Sequence, residues 1–181
     1  MLELQCILEL KNRNINMNLY LGNEVYICEG IPELLNKDIS TINNSNYLLM
    51  ELPLTRKSLI TEEVLDELLD NDIIPIIAHP ERYLAYYKYY DYFTKLKEYG
   101  CYFQSNIGSI YGEYGRKPKK MIKELLKRDL IDFIGSDIHS PHQELYSKEI
   151  KKDLLKIVKD EQKVENILTN NAKKVLSNQE I

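Results

Sequence analysis

Five side chains of the types that bind divalent metal ions lie at or near the ends of predicted strands. Carboxylates and imidazoles together suit zinc, manganese or iron. If the strands are parallel, their carboxyl ends share one edge, so residues that are far apart in the sequence converge there. The sequence therefore predicts a multinuclear metal site at that edge. Its predicted ligands are Glu24, Glu51, His79, Asp137 and His139.

Asp137 and His139 form the sharpest of these motifs, since they follow a predicted buried strand with one residue between them. In an extended chain, positions i and i+2 point to the same side, so both side chains could face one metal cluster. The alternative is that Asp137 caps the next helix and that His139 is a surface loop residue. For an isolated Asp-x-His sequence, that alternative is the simpler explanation.

The segment from His79 to Tyr83 begins where an apolar strand ends. Pro80 stops strand pairing and fixes the turn. Arg82 could then contact a phosphate through two N–H groups of its guanidinium. The alternative is a surface turn with an ion pair between Glu81 and Arg82, and this segment alone does not decide between the two.

Glu24 and Glu51 both interrupt apolar strand sequences. A buried carboxylate without a partner is costly, although a nearby Lys or Arg could satisfy each one. Two such acids, a strand-end histidine and an Asp-x-His motif have one common explanation. A multinuclear metal site neutralises the acids and takes the imidazoles as neutral donors.

Strands and helices alternate along the chain, without an internal repeat. Thr61 is expected to cap its helix, and Pro75 to mark an edge, a bulge or the start of its strand. About five strand–helix units predict an α/β fold with a parallel sheet, either open and doubly wound or closed as a barrel. The predicted strands cover residues 18–28, 47–52, 73–78, 101–106 and 131–136, and the predicted helices cover 2–12, 31–36, 61 onwards, 86–99, 117–128 and two helices within 144–176.

The composition excludes several classes of protein. The chain has 181 residues, 44% hydrophobic and 29% charged, with a net charge of -4, which predicts one ordinary domain and no nucleic-acid partner. No apolar run reaches the roughly 18 residues of a membrane span, so no membrane insertion is expected. Three widely spaced cysteines argue against a disulfide framework and favour a reducing cytoplasm. Sequence motifs of nucleotide-binding loops, serine hydrolases and cysteine phosphatases are missing.

Four segments resemble, in order and spacing, the bacterial PHP-domain tyrosine phosphatases of capsule and exopolysaccharide synthesis. That group belongs to the polymerase and histidinol phosphatase superfamily. The most specific match is the run Ala-His-Pro-Glu-Arg-Tyr at residues 78–83. The resemblance extends from about Leu19 to residue 176. The other matching segments are residues 22–27, 49–52 and 136–139.

The resemblance implies a PHP-type distorted barrel of seven strand–helix units that binds Mn²⁺ or a similar divalent metal ion, with up to three ions. It implies a metal-activated hydroxide that attacks the phosphoryl group of phosphotyrosine in the tyrosine-rich tail of a bacterial tyrosine kinase. It makes Arg82 the catalytic residue that binds the phosphate. It makes metal ligands of Glu24, Glu51, His79, Asp137 and His139.

Two features depart from that family. Its first strand carries His-x-His, which has no counterpart here, so residues 1–181 are expected to form a single domain truncated at the N-terminus, with fewer metal ions. An arginine that often follows the Asp-x-His motif is also missing, although His142 could replace it. Two alternatives stay open: a small-molecule phosphatase of the histidinol-phosphatase kind, and a catalytically impaired remnant that binds a kinase tail through its tyrosine-rich face. The oligomeric state is open as well.

Overall fold

A computed structural model describes residues 2–35, 37–140, 143 and 149–181 of the chain. Its centre is one sheet of five parallel strands, in agreement with the predicted α/β class. The strands are β1 (Glu24–Tyr26), β2 (Tyr47–Glu51), β3 (Ile74–Ala78), β4 (Tyr102–Asn106) and β5 (Phe133–Gly135).

The order of the strands in the sheet follows their order in the sequence. A doubly wound sheet reverses direction at a switch point, so this order excludes that alternative for the five strands described. Winding in one direction is the order of a barrel, but β1 and β5 do not pair with each other in the described part of the chain. The five described strands thus form an open sheet.

Apolar side chains on both faces account for the central strands. Met50 of β2 is fully buried on one face of the sheet, and Tyr47 of β2 and Ile76 of β3 are buried on the other. Pro75 is the second residue of β3 and lies opposite Leu48 of β2. Because β3 is central, Pro75 marks the start of a strand, and the edge and bulge alternatives are wrong.

Helices connect the strands and cover the sheet with apolar faces. The third helix buries Val64, Leu65 and Leu68, whose spacing is that of one helical face. The helices are α1 (Leu2–Asn12), α2 (Ile31–Leu34), α3 (Thr61–Asp70), α4 (Tyr90–Glu98), α5 (Ile107–Tyr111), α6 (Arg116–Lys127), α7 (Ile150–Val158), α8 (Glu161–Glu165) and α9 (Asn171–Leu176), with a π turn at Asn166–Asn170 and 3-10 turns at Ile42–Asn44, Pro80–Arg82 and Leu84–Tyr86.

The predicted strand at residues 18–28 is mostly wrong, because only Glu24–Tyr26 pairs in the sheet. Leu21 is 53% exposed instead of facing a core. Before Glu24, the backbone bonds to an irregular segment: Leu21 O accepts from Asn43 N–H, and Asn23 N–H donates to Ser40 O. A strand ladder therefore has no partner there.

Three helix predictions also differ from the structure. Thr61 is the first residue of α3 and no side chain caps that helix. The helix predicted at 86–99 begins only at Tyr90, because the 3-10 turn Leu84–Tyr86 takes the chain away from β3 first. The second tail helix is divided by the π turn, and residues 144–148 at the predicted start of the tail, like Asn36 at the end of the predicted second helix, lie outside the described residues.

Candidate metal centre

Most of the predicted site residues lie at the carboxyl edge of the sheet. Glu51 is the last residue of β2, His79 follows β3 directly, and Asp137 follows β5 after one residue. Because all five strands are parallel, these positions share one edge. Glu24 is the first residue of β1, and the register places it opposite Leu49, two residues before Glu51.

Glu24, Glu51 and His79 form a compact group, here called the carboxylate–histidine cluster. One ligand atom from each of the three lies within 4.8 Å of the others. His79 Nε2 is 3.1 Å from Glu24 Oε1. His79 is 3% exposed, and Glu51 is half-buried. The sequence thus predicted three side chains that the fold brings together from three different strands.

The donor set of this cluster fits a divalent cation. Across the described ranges, no Lys or Arg forms an ion pair with Glu24 or Glu51, so the two carboxylates lack a protein cation. The second ring nitrogen of His79, Nδ1, is buried without a hydrogen-bond partner. Oxygen and imidazole donors suit manganese, zinc or iron, and such an ion would neutralise the two acids.

Backbone strain is present at two of the predicted ligands. His79 has φ 35° and ψ 54°, and Asp137 has φ 51°. Left-handed backbone is unfavourable for residues other than glycine and concentrates at functional sites. Two hydrogen bonds hold the backbone of His79 in this conformation. Its N–H donates to Gln104 O, and its carbonyl accepts from Arg82 N–H.

The remaining predicted residues, Arg82, Asp137 and His139, form a second group together with Asn106, here called the aspartate–arginine cluster. Asp137 Oδ2 accepts hydrogen bonds from Arg82 Nη1 at 2.9 Å and from Asn106 Nδ2 at 2.6 Å. Asp137 Oδ1 lies 2.8 Å from His139 Nε2. The aspartate side chain is nearly buried, whereas that of His139 is 78% exposed.

The five predicted ligands therefore occupy two clusters in the described chain, and not one. Asp137 and His139 do not join the 4.8 Å group of Glu24, Glu51 and His79. The 3-10 turn Pro80–Arg82 links the clusters, since it carries His79 at its start and Arg82 at its end. His142, the possible substitute for a second phosphate-binding arginine, lies outside the described residues.

Glu81 contradicts the alternative of a surface ion pair with Arg82. It is 1% exposed, and its Oε1 accepts from Asn106 N–H at 2.9 Å and from Ser109 Oγ at 2.7 Å. Arg82 instead pairs with Asp137. Burial raises the pKa of Glu81, and the hydrogen bonds from Ser109 and Asn106 oppose that shift only in part.

Two aromatic residues support the site without having been singled out as site residues. The ring of Tyr114 lies 4.6 Å from the guanidinium carbon of Arg82, which is a cation–π contact. The hydroxyl of Tyr83 accepts from Leu52 N–H at 2.9 Å and donates to Ala78 O at 2.6 Å. Tyr83 thereby ties the chain after β2 to the end of β3, beside Glu51 and His79.

Some of these missed residues had a signal in the sequence and others had none. Asn106 ends a predicted strand, so the strand-end criterion would have found it if amides had been considered with acids and histidines. Glu81 and Tyr114 gave no such signal, because their roles depend on which strands become neighbours.

Comparison with known proteins places these features in a family. Residues 3–177 match the family model described as capsular polysaccharide synthesis, CpsB/CapC. CapC of Staphylococcus aureus is 37% identical over 137 residues, which are 73% of this chain and 54% of CapC. The tyrosine-protein phosphatase YwqE of Bacillus subtilis is 27% identical over 175 residues, 95% of this chain and 68% of YwqE.

A solved structure agrees with the sequence matches. Crystal structures of YwqE from Bacillus subtilis and CpsB from Streptococcus pneumoniae are described as those of metal-dependent tyrosine phosphatases. The match has a TM-score of 0.89 at 28% identity and covers 98% of this chain and 72% of that chain. The chain thus spans 54% of CapC and 68% of YwqE. No described helix is both long and apolar enough to cross a membrane.

Proposed function

The chain belongs to the CpsB/CapC family of capsular polysaccharide synthesis, and we propose that it is a metal-dependent phosphatase for phosphotyrosine in proteins. One observation carries this proposal. A cluster whose donors suit a divalent cation and a half-buried arginine lie at the two ends of a single turn, residues 79–82. A phosphate ester needs both features: a cation beside the reacting oxygens and a rigid donor for the phosphoryl group.

The carboxylate–histidine cluster would hold Mn²⁺ or a similar divalent ion. Asp137 and His139 would supply further ligands, as the resemblance to PHP phosphatases implies. When bound, the ion supplies a lowered pKa for a bound water and neutralises charge on the phosphoryl group. The carboxylates have no protein cation to compete with the ion in the described chain.

Arg82 would bind and orient the phosphate. Its guanidinium donates to Asp137 through Nη1, so further N–H groups are available for phosphate oxygens. The ring of Tyr114 restricts the guanidinium from another side. A guanidinium held in this way can bind a phosphate by two parallel hydrogen bonds.

The substrate and the barrel are finer parts of this proposal. The relatives YwqE and CpsB are tyrosine-protein phosphatases, which supports phosphotyrosine in proteins as the substrate. The tail of a tyrosine kinase is the substrate that the resemblance to PHP phosphatases implies. The consecutive strand order supports a PHP-type barrel, of which the five described strands form an arc. The three free cysteines, Cys6, Cys28 and Cys101, support a reducing cytoplasm.

One observation weighs against the alternative of a remnant that binds a kinase tail through its tyrosine-rich face. Tyr83 and Tyr86 are buried, and Tyr86 stacks on Tyr92 with 4.2 Å between ring centroids. These rings belong to the core. Of the tyrosines at residues 83–92, only Tyr89 is exposed, at 60%, so most of that face is not available for binding.

The test is phosphate release from a phosphotyrosine peptide and from histidinol phosphate, with Mn²⁺ present. We expect turnover of the peptide, and we expect Arg82→Ala to lower kcat/KM on the order of 100-fold, as loss of a donor to the transition state does. Arg128→Ala is the matched control, because Arg128 also stacks on a tyrosine ring, that of Tyr90, but carries no role in the site.

Each other outcome contradicts a stated part of the proposal. Preference for histidinol phosphate would favour the small-molecule phosphatase. Peptide binding without phosphate release would favour the binding remnant. Equal losses in Arg82→Ala and Arg128→Ala would remove Arg82 from the reaction.

A further inference from the structure

We infer that Asn106 is a positioning residue that fixes the carboxylate of Asp137 for metal binding, with Glu81 as its buried anchor. The inference rests on the proposed function, because it concerns a ligand of the same site. It assigns a role to two residues that neither the metal-ligand motifs nor the phosphate-binding arginine includes.

The contact of Asn106 with Asp137 is direct and shielded from water. Asn106 is fully buried, and its Nδ2 donates to Asp137 Oδ2 at 2.6 Å. The reverse orientation of the amide would set two oxygens against each other, so the donor must face the carboxylate. Asn106 precedes α5, yet its side chain does not cap that helix. The side chain therefore serves Asp137 and not the local backbone.

Glu81 holds Asn106 in place through its buried carboxylate. Its Oε1 accepts from the backbone N–H of Asn106 and from the hydroxyl of Ser109. Since Glu81 lies in the turn after β3 and Asn106 ends β4, this carboxylate joins two strand ends. The residue after Glu81 is Arg82, which donates to the same Asp137 oxygen. One buried network thus reaches Asp137 from two strands.

The network determines how the carboxylate is presented. Both donors bind Oδ2, so the group cannot rotate without breaking both hydrogen bonds. Oδ1 contacts only the exposed ring of His139 among the described residues. Hydrogen bonds from surrounding residues to a metal ligand orient that ligand, and their loss typically lowers metal affinity by about 10–100-fold.

The experiment measures Mn²⁺ affinity by titration calorimetry for the wild-type chain, Asn106→Ala and Asn106→Val. Valine keeps most of the volume and suits the extended backbone at this position, φ -86° and ψ 130°. Asn171→Ala is the matched control, since Asn171 is a buried asparagine whose Nδ2 donates to a carbonyl oxygen, that of Asp132, away from the site. Circular dichroism monitors folding of every variant.

We expect both Asn106 variants to keep the wild-type spectrum and to bind Mn²⁺ about 10–100-fold more weakly. Asn171→Ala should keep wild-type Mn²⁺ affinity even if it melts earlier. Wild-type affinity in a folded Asn106 variant would overturn the inference. So would an absence of Mn²⁺ binding by the wild-type chain, or failure of both Asn106 variants to fold, which would make the residue structural.

The inference and the proposed function fail separately. Weakened Mn²⁺ binding in the Asn106 variants of a chain that releases no phosphate would support the positioning role and contradict the phosphatase. Phosphate release that is equal in the wild type and both variants, with equal Mn²⁺ affinity, would support the phosphatase and overturn the positioning role.

Discussion

The hydroxyl of Tyr83 offers the sharpest test of how the site is held together. It bridges Leu52 N–H and Ala78 O, which lie next to Glu51 and His79. Tyr83→Phe removes this one atom and leaves the buried ring in place. The substitution therefore leaves one backbone donor and one backbone acceptor without this partner in a buried location.

The expected magnitude follows from those two groups. A buried polar group that loses its partner costs about 1–3 kcal/mol, so two of them give a loss of about 2–6 kcal/mol in the free energy of unfolding. Tyr47→Phe is the control, because Tyr47 is also buried but its hydroxyl donates to one carbonyl oxygen, that of Gln179, at a partly exposed location. Loss of that single bond should cost about 0.5–1.5 kcal/mol.

Urea unfolding followed by circular dichroism measures both variants. With a denaturant slope of about 2 kcal/mol per molar, typical of a small domain, Tyr83→Phe should unfold about 1–3 M earlier in urea than wild type. Tyr47→Phe should shift by less than about 1 M. If the two variants shift equally, or if Tyr83→Phe unfolds with the wild type, the hydroxyl does not join the two strand ends as described.

Three further predictions address the pH response, the substrate and the thiols. Burial raises the pKa of Glu81 above its ordinary value of 4.5, so the stability gained from its proton is complete below pH 4.5 and is lost as the pH rises through the raised pKa. Glu81→Gln should therefore lose less stability than wild type between pH 4.5 and 8, as measured by urea midpoints at each pH. Parallel pH profiles of the two proteins would contradict the raised pKa of Glu81. Tyr114→Ala should raise KM for a phosphotyrosine peptide by about 2- to 30-fold, since a cation–π contact stabilises by about 0.5–2 kcal/mol, while Tyr114→Phe should retain the wild-type KM; an unchanged KM in Tyr114→Ala would show that the ring does not hold Arg82 for the phosphate. Burial raises the pKa of Cys101 to about 12, so a thiol reagent at pH 8 should modify only Cys6 and Cys28 in the folded protein, and rapid reaction of all three would contradict the packing around β4.

The sequence predicted the central strands well because their signal is local. Apolar runs define β2 and β3 to within one residue at each end, and the prediction for β4, whose last three residues are polar, is equally close. Another local signal, the alternation of apolar and polar residues, failed before Glu24. Leu19 and Leu21 alternate as in a strand, but no neighbouring strand pairs with that segment in the described part of the chain. Alternation is a property of a single segment, whereas a β-strand also requires a neighbouring strand that pairs with it.

The candidate site likewise contains some features that the sequence predicted and others that it did not. The strand-end criterion explains why Glu51 and His79 meet, because parallel strands share a carboxyl edge. Glu24 also lies in this group, but it begins β1, so its position depends on the register of β1 with β2. The separation of Asp137 and His139 from that group was not predicted. Nor was the support from Glu81, since a buried hydrogen-bond network depends on which strands are neighbours and on their register.

In the proposed function, Glu24, Glu51 and His79 hold a divalent ion on which phosphotyrosine hydrolysis depends. The most direct measurement is phosphate release from a phosphotyrosine peptide by the wild type and His79→Ala, each after chelation and again after addition of Mn²⁺. We expect chelation to abolish phosphate release by the wild type and Mn²⁺ to restore it, whereas His79→Ala stays inactive with Mn²⁺. Phosphate release that continues after chelation, or that His79→Ala performs as well as the wild type, would show that hydrolysis does not depend on an ion at this cluster.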